Sequence, residues 1–265
     1  MTPPVEKYDQ RGASASKKEV HHAIRNLDKG LYPNAFCKIL PDVAGGDADF
    51  CNIMHADTAG TKTSLAYLYW KETGDISVWR GIAQDALVMN LDDMACCGCL
   101  DDILISNTIA RNKHLIPGEV IEEIIEGTIA FVEAMGERGI SIKHAGGETA
   151  DTGDIVRTID VGITAFGRMP RKELIVNQIR PGAVIIGLAS DGKANYEAEY
   201  NSGIGSNGLT SARHDMLHHM YATKYPESFS PETDIRYVYN GPWQLTDKVN
   251  VGNEEINVGK LLLSP

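Results

Sequence analysis

The pattern of this sequence predicts an α/β domain over residues 1–170 and a second, smaller domain over residues 171–265. In the first part, short apolar segments typical of strands alternate with longer amphipathic segments typical of helices. Residues 167–172, Gly-Arg-Met-Pro-Arg-Lys, then break all periodicity, as a connection between domains does. Residues 191–208 are rich in Gly, Asn and Ser, a composition that favours functional loops.

Four strands are predicted before this boundary and one after it. They cover residues 50–56, 103–109, 139–145, 158–165 and 183–189. The clearest is 158–165, because its apolar side chains alternate and place Ile159, Val161 and Ile163 on one face. The polar segment 225–259 is expected to add only short strands.

Helices are predicted between these strands and in the second part. They cover residues 14–27, 78–97, a long segment from 117 onwards, and 210–223. Ser16 and Glu19 have capping-box spacing at the first of them, and Pro117 is suited to open the third. The buried stripe predicted for that third helix is Val120, Ile121, Ile124, Ile125 and Ile129.

Charge and cysteine content exclude several classes of protein. The formal net charge of −11 argues against a large basic surface for nucleic acid or an anionic membrane. No apolar run approaches bilayer length, and the first twenty residues lack the apolar core of a signal peptide. Five cysteines, an odd number, predict reduced thiols. A cytoplasmic protein is therefore expected.

The run Cys96-Cys97-Gly98-Cys99 could suggest a metal site. A structural zinc site needs about four ligands, usually in two spaced pairs. Cys37 and Cys51 do not form a second such pair. Burial of the thiols as small apolar groups is therefore the favoured interpretation.

The turn that follows the first long strand carries groups suited to phosphate. Residues 55–62 read His-Ala-Asp-Thr-Ala-Gly-Thr-Lys, which is not a Walker A loop. Gly60 allows a tight turn with exposed backbone N–H groups, Lys62 adds a cation, and Asp57 can hold a metal ion. An ordinary turn is the alternative, and His55 is interpreted as structural.

The helix over 78–97 carries three acids without nearby basic partners. Asp85 and Asp92 share a face, Asp93 lies about 80° round from Asp85, and Arg80 is the only basic residue in the segment. Unpaired carboxylates on an apolar helix indicate a hard cation such as Mg²⁺. Helix capping or simple solvation is the alternative.

Residues 146–151, Gly-Gly-Glu-Thr-Ala-Asp, place another acid, Glu148, at the expected end of a strand. Consecutive glycines permit close approach by a ligand, although a tight turn would also explain them. His144, just before this run, is interpreted as structural. His214, His218 and His219 are interpreted as surface or packing residues, because no HExxH pattern accompanies them.

Four of these segments, taken in order, resemble the ATP-dependent aminoimidazole ribonucleotide synthetase (phosphoribosylformylglycinamidine cyclo-ligase) family. The matching pieces are Asp57-Thr58-Ala59-Gly60-Thr61-Lys62, Asp85 with Asp92-Asp93, Gly146-Gly147-Glu148-Thr149-Ala150, and Ser206-Asn207-Gly208. The resemblance implies an α/β N-terminal domain with helices on one side of a mixed sheet. It also implies that dimerisation completes the sheet and that a truncated α+β domain follows.

The same resemblance implies ATP and Mg²⁺ as cofactors and a nucleotide as the small-molecule substrate. Family members close formylglycinamidine ribonucleotide into an imidazole ring after its amide oxygen attacks the γ-phosphate. Such chemistry asks the protein mainly for positioning and charge neutralisation. Neither nucleic acid nor membrane is expected as a partner, and a homodimer is.

The resemblance also implies roles for individual residues. Catalytic roles are implied for Asp57, Lys62 and Asp93, and metal ligation for Asp57, Asp93 and Glu148. ATP binding is implied for Gly60, Thr61, Lys62, Asp85, Gly146, Gly147, Glu148 and Thr149. Substrate binding is implied for Ser206, Asn207 and Gly208.

Four departures from the family pattern set this chain apart. Thr58 stands where glycine is usual, Asp92 where asparagine is usual, and Gly205 where histidine commonly precedes Ser-Asn-Gly. The chain also stops at Pro265, where the family continues. The alternatives are another enzyme of the superfamily (selenophosphate synthetase, thiamine monophosphate kinase or the hydrogenase-maturation dehydratase) or a non-catalytic nucleotide-binding scaffold.

Overall fold

A five-stranded mixed sheet forms the centre of the first part of the chain. The computed structural model describes residues 7–195, 197, 199–252 and 254–265. The strands are β1 (Ile39–Pro41), β2 (Phe50–Thr58), β3 (Ile103–Arg111), β4 (Ile142–Asp151) and β5 (Ile159–Pro170). Their spatial order is β1-β2-β5-β3-β4, and the β3–β4 pair is parallel whereas the other pairs are antiparallel.

Helices cover one face of this sheet. In the first part they are α1 (Lys7–Gln10), α2 (Lys18–Ile24), α3 (Lys62–Thr73), α4 (Val78–Ala95) and α5 (Gly118–Gly136). Helix α4 contacts β2 and β5, and α5 contacts β4 and α4. Inward side chains such as Ile53, Ile105 and Val161 are buried against the helices. On the opposite face Met54 remains 61% exposed, so the expected arrangement of a mixed sheet with helices is confirmed.

The second part contains short elements around a hairpin. They are α6 (Leu209–Met216), α7 (Met220–Lys224), β6 (Lys248–Val251), β7 (Glu254–Asn257) and α8 (Val258–Leu262), with 3₁₀ turns at Arg171–Glu173, Pro226–Ser228 and Ile235–Tyr237. The short strands expected in the polar tail are therefore present as the β6–β7 pair. His214 is buried, and its ring packs against that of Tyr239 with the centroids 4.7 Å apart, in agreement with a packing role.

A buried arginine joins α6 to the first part. Arg213 donates hydrogen bonds to Ser64 Oγ on α3, to the Ser228 carbonyl and to the Tyr239 hydroxyl. Burial, with a smaller contribution from the charge of Arg11, lowers the pKa of this guanidinium, and no carboxylate accepts from it among the described residues. Oxygen acceptors from three segments therefore replace a counter-ion.

Two predicted elements in the first part differ from the structure. Helix α2 covers only Lys18–Ile24, because Lys17 adopts a left-handed conformation (φ 43°) and no side chain caps the helix. The stripe of α5 is rotated from the predicted one, and Ile125 and Ile129 are 39% and 43% exposed. Gly127, Thr128, Phe131 and Met135 share the buried face instead, since α4 packs there.

Two predicted elements in the second part also differ. Residues 183–189 form no strand, and Leu188 is 92% exposed. An apolar run predicts a strand only if another strand pairs with it, which the run itself cannot specify. The helix expected over 210–223 is broken at Leu217, whose extended backbone (ψ 145°) separates α6 from α7. The division between domains at residue 170 stays a prediction.

Gly127 allows α4 and α5 to approach closely, which generates a test of the packing. A Cβ at this position would lie 2.7 Å from Arg80 Cα. We expect Gly127→Ala to lower the free energy of unfolding by about 1–3 kcal/mol, because backbone has to move. The measurement is urea denaturation.

Gly136→Ala is the matched control, at the last position of the same helix. A Cβ there would have no neighbour within 4 Å, so we expect no loss of stability and a gain of up to about 1 kcal/mol. Equal losses in the two variants would contradict the packing argument.

Candidate functional site

The turn between β2 and α3 has the form of an anion-binding helix N-terminus. Gly60 has a positive φ of 59°, and its N–H donates to Thr58 Oγ1 at 3.2 Å. The backbone N–H groups of Thr61 and Lys62 have no hydrogen-bond partner in the described part of the chain. No acidic side chain lies in the first turn of α3. The free N–H groups and the helix dipole therefore favour an anion here.

Thr61 links this turn to the Ser206-Asn207-Gly208 loop. Its Oγ1 lies 2.6 Å from Oγ1 of Thr210 in the first turn of α6. Gly208 has a φ of 84° and precedes that helix, while Ser206 Oγ is buried without a partner among the described residues. The structure thus brings the first and fourth motifs together across 149 residues of sequence.

Lys62 is fully buried and forms an ion pair with Asp85. Its Nζ lies 2.9 Å from Asp85 Oδ1 and 3.4 Å from the Ile204 carbonyl, and it also donates to the Ser264 carbonyl. Burial raises the pKa of Asp85 to about 6, although Lys62 opposes the shift. The partner that the helix sequence lacked therefore comes from α3. The ammonium is engaged inside the protein, so its contact with ATP phosphates stays a prediction.

Asp93 also has a partner from another element. His55 Nε2 on β2 lies 2.9 Å from Asp93 Oδ2, and His55 Nδ1 lies 2.9 Å from Asn90 Oδ1. Asn90 is buried, and its Nδ2 donates to the Ala86 carbonyl at 2.9 Å. His55 is thus held by contacts, as expected of a structural histidine, but one contact is with a predicted site acid. Asp92 is exposed beside it.

Asp57 lies at the end of β2 next to an acid that the sequence analysis missed. Its Oδ1 accepts from the Thr58 N–H at 2.7 Å. Asp160 on the neighbouring strand β5 has a raised pKa because it is buried and because Asp57 repels its charge, while a Thr58 hydrogen bond opposes the shift. Only the β2–β5 register, which pairs Thr58 with Gly162, brings the two acids together. The available signal was a lone carboxylate within a largely apolar strand.

The paired glycines lie inside an edge strand and not at its end. Strand β4 continues through Gly146 (φ 94°) and Gly147 to Asp151, pairing Glu148 with Thr108 of β3. A Cβ on Gly147 would lie 2.4 Å from the Asn107 carbonyl oxygen, so close strand pairing explains this glycine. Glu148 and Thr149 are exposed. ATP contacts of these residues stay predictions.

His144 has the structural role expected of it. Its Nε2 lies 2.8 Å from Asn107 Oδ1, and Asn107 Nδ2 donates to Thr128 Oγ1 on α5. These bonds attach the edge strand to the sheet and to the helix layer.

The predicted three-acid metal site is not assembled in this structure. Within the described ranges, no group of three His, Cys, Asp or Glu side chains is arranged to hold a metal ion. Asp57 lies beside Asp160, Asp93 is paired with His55, and Glu148 is exposed on β4. The acids stand on three different elements and two have other partners. Their present arrangement does not fit Mg²⁺ as a shared ligand set.

The cysteines match the packing interpretation in four of five cases. Cys37, Cys51, Cys97 and Cys99 are buried, whereas Cys96 is exposed. Burial, with neighbouring Cys97 adding to it, raises the pKa of the Cys37 thiol to about 12. Burial also raises the pKa of the Cys51 and Cys99 thiols, so Cys37, Cys51 and Cys99 are protonated and unreactive at neutral pH.

The first part of the chain matches a known family. Residues 41–169 match the family model described as AIR synthase related protein, N-terminal domain. This segment is therefore similar to AIR synthase related N-terminal domains, in agreement with the resemblance inferred from the motifs. No helix in the described ranges has the length and apolar character needed to span a membrane.

Curated relatives carry a more particular name, phosphoribosylformylglycinamidine cyclo-ligase. The protein of Saccharolobus solfataricus is 28% identical over 194 residues, 71% of this chain and 54% of its own length. That of Thermococcus kodakarensis is 32% identical over 166 residues, 62% of this chain and 42% of its own length. The chain thus spans about half the length of the curated relatives it matches.

Similar solved structures include T. maritima PurL complexed with ADP. It is 17% identical with a TM-score of 0.33, and the match covers 50% of this chain and 19% of that one. Thiamine-monophosphate kinase from Stenotrophomonas maltophilia K279a has a TM-score of 0.30 at 16% identity, covering 60% of this chain and 42% of its own. TM-scores this low carry no argument about the site.

The buried Lys62–Asp85 pair generates a stability test. We expect Asp85→Ala to cost about 3–5 kcal/mol of unfolding free energy, because it leaves a buried ammonium without its counter-ion. Replacing both residues together, Lys62→Met with Asp85→Leu, should cost much less than Asp85→Ala alone. Chemical denaturation measures both.

Asp92→Ala serves as the control, since Asp92 is an exposed acid on the same helix. We expect this variant to change the free energy of unfolding by no more than about 0.5 kcal/mol. An equally small loss for Asp85→Ala would show that the pair does not hold the fold together.

Proposed function

We propose that this chain acts in the ATP-dependent cyclisation of formylglycinamidine ribonucleotide to aminoimidazole ribonucleotide, with release of ADP and phosphate. The observation that carries the proposal is the family match over residues 41–169, together with the shared name of the curated relatives. The enzyme would be a cytoplasmic purine-biosynthesis ligase. The exposed sheet face around Met54 supports the homodimer that the family resemblance implies.

The β2–α3 turn supports a nucleotide phosphate as the bound group. A Cβ on Gly60 would meet nothing within 4 Å, so the space beside the turn is open to a ligand. The N–H groups of Thr61 and Lys62 would donate to phosphate oxygens there, and the Thr61–Thr210 contact would hold the Ser206–Gly208 loop beside the same ligand. Binding by backbone groups orients a phosphate without requiring a charged side chain.

The protein would contribute to this reaction mainly by positioning ATP and the second substrate. The amide oxygen of the substrate attacks the terminal phosphorus of ATP, and the internal amine then displaces the phosphate to close the ring. In-line attack requires that both substrates be held in one orientation. N–H donors at the end of α3 would neutralise part of the charge that develops on the phosphoryl oxygens. No step is assigned to Asp57, Asp93 and Glu148 acting through a shared ion.

A non-catalytic nucleotide-binding protein is the second candidate. The observation that favours it is the engagement of Lys62 by Asp85 and by the Ser264 carbonyl, which keeps the only cation of the turn away from a ligand.

A measurement of ATP turnover distinguishes between the two candidate functions. ADP release from ATP is measured with and without formylglycinamidine ribonucleotide, alongside binding of a fluorescent ATP analogue. Substrate-dependent ADP supports the cyclo-ligase, binding without turnover supports the second candidate, and absence of binding refutes both.

Gly60→Ala tests the turn itself. We expect this variant to weaken ATP binding by about tenfold or more, because a Cβ would occupy the open side of the turn and disfavour its φ of 59°. Isothermal titration of ATP gives the affinity.

Gly46→Ala is a matched control, since Gly46 has a φ of 71° and also has nothing within 4 Å of an added Cβ. Both glycine variants should lose about 1–2 kcal/mol of unfolding free energy, but Gly46→Ala should leave the ATP affinity unchanged. Equal ATP affinity in the two variants would place the nucleotide elsewhere.

A further inference from the structure

A buried arginine near the start of the described chain contacts α6. Arg11 follows α1 directly and is only 3% exposed. Its Nη1 donates to Asp215 Oδ2 at 2.9 Å, and its Nη2 donates to Asp215 Oδ1 at 2.8 Å. Nη1 also donates to Ser211 Oγ at 2.8 Å and to the Ser211 carbonyl at 2.9 Å, and Nε donates to the Tyr237 carbonyl at 3.0 Å. The guanidinium therefore joins the N-terminal segment to the second part of the chain.

The geometry of these contacts fixes the orientation of α6. Ser211 and Asp215 are four positions apart, so they lie one above the other on the same face of the helix. A guanidinium that holds a carboxylate through two parallel hydrogen bonds allows little rotation about the contact. The hydrogen bonds from Arg11, with a contribution from Lys7, hold the pKa of Asp215 below its ordinary value. The carboxylate is therefore ionised at neutral pH and keeps both acceptor atoms.

Helix α6 depends on contacts with other segments. It has eight residues and no side-chain cap at its N-terminus, and a helix this short is not stable by itself. Arg213 attaches it to Ser64 of α3, and Arg11 attaches it to the N-terminal segment. Thr210 lies in its first turn, with its Oγ1 2.6 Å from Oγ1 of Thr61 in the β2–α3 turn. A rotation or shift of α6 would separate the two threonines.

We propose that Arg11 is a positioning residue for the nucleotide site. It holds α6 so that Thr210 stays against Thr61 and residues 206–208 stay beside the β2–α3 turn. Arg11 acts through α6, and no contact with the ligand is assigned to it. The inference rests on the proposed function only in placing a nucleotide at this turn.

Arg11→Lys tests the two-bond contact, because a lysine keeps the charge but cannot reproduce the planar fork. We expect the ATP affinity of the folded variant to fall about threefold or more. Isothermal titration measures it at a temperature where the denaturation curve shows the variant to be fully folded. Unchanged ATP affinity would overturn the proposal.

Amide hydrogen exchange reports on α6 itself and requires no ligand. In Arg11→Lys, exchange over residues 206–216 should become about tenfold faster or more, because the helix opens more readily. Exchange over residues 50–58 of β2 should stay as in the wild type. Unchanged exchange over residues 206–216 would show that Arg11 does not hold this helix.

Arg168→Lys is the matched control. Arg168 holds Asp42 in an equivalent fork, with Nε 3.1 Å from Oδ1 and Nη2 2.9 Å from Oδ2. The β2–β5 register places Arg168 opposite Asn52, at the other end of β2 from the turn. This variant should lose stability and keep both the ATP affinity and the exchange of residues 206–216. An equal loss of ATP affinity in the control would refute a specific positioning role for Arg11.

Asp215→Asn tests whether Arg11 acts through α6. Its loss of ATP affinity and that of Arg11→Lys should not add, because both substitutions break the same contact. The double variant should therefore bind ATP about as well as the weaker single variant, and additive losses would refute action through Asp215. If Arg11→Lys does not fold, Asp215→Asn alone gives the readout, and unchanged ATP affinity in that variant would overturn the proposal.

The two proposals fail in different ways. If the wild-type chain binds no ATP, the proposed function is refuted, while hydrogen exchange still decides whether Arg11 holds α6. If ATP binds equally well to the wild type and to Arg11→Lys, the nucleotide site stands and the role of Arg11 is refuted.

Discussion

The buried ion pair between Lys62 and Asp85 is the contact on which the arrangement of the site depends. It joins the first turn of α3 to the middle of α4, and the same ammonium donates hydrogen bonds to the Ile204 and Ser264 carbonyls. A buried cation needs a counter-ion and hydrogen-bond acceptors. The segments that supply these oxygens therefore lie together around Lys62 Nζ. The turn before α3 and the loop after Ile204 are thereby brought close enough for Thr61 to contact Thr210.

Acids around the site have partners from neighbouring elements. Asp85 is compensated by a lysine of α3, and Asp93 lies 2.9 Å from a histidine nitrogen of β2. Asp57 differs, because its neighbour Asp160 is another acid and repulsion between them is part of what raises the Asp160 pKa. In this pair the neighbour of each acid is therefore another acid and not a cation. Backbone N–H groups at the adjacent helix end supply the opposite polarity.

Much of the local structure followed from the pattern of residues. The strands predicted near residues 50–56, 103–109 and 158–165 and the helix over 78–97 are all present, because apolar periodicity reports directly on which face of an element is buried. The family resemblance was likewise carried by short motifs whose order can be read along the chain, and the match over residues 41–169 agrees with it.

Contacts between residues far apart in the sequence could not be predicted from the pattern of residues. The chain alone showed acids on α4 without basic neighbours, whereas folding placed Lys62 and His55 against two of them. It showed paired glycines suited to a loop, whereas β3 extended the strand through them. Periodicity and turn chemistry are properties of neighbouring residues, and so composition and order were enough for the elements and the motifs. Ion pairs, strand register and burial depend on which elements meet in space, and that is settled by packing over the whole chain.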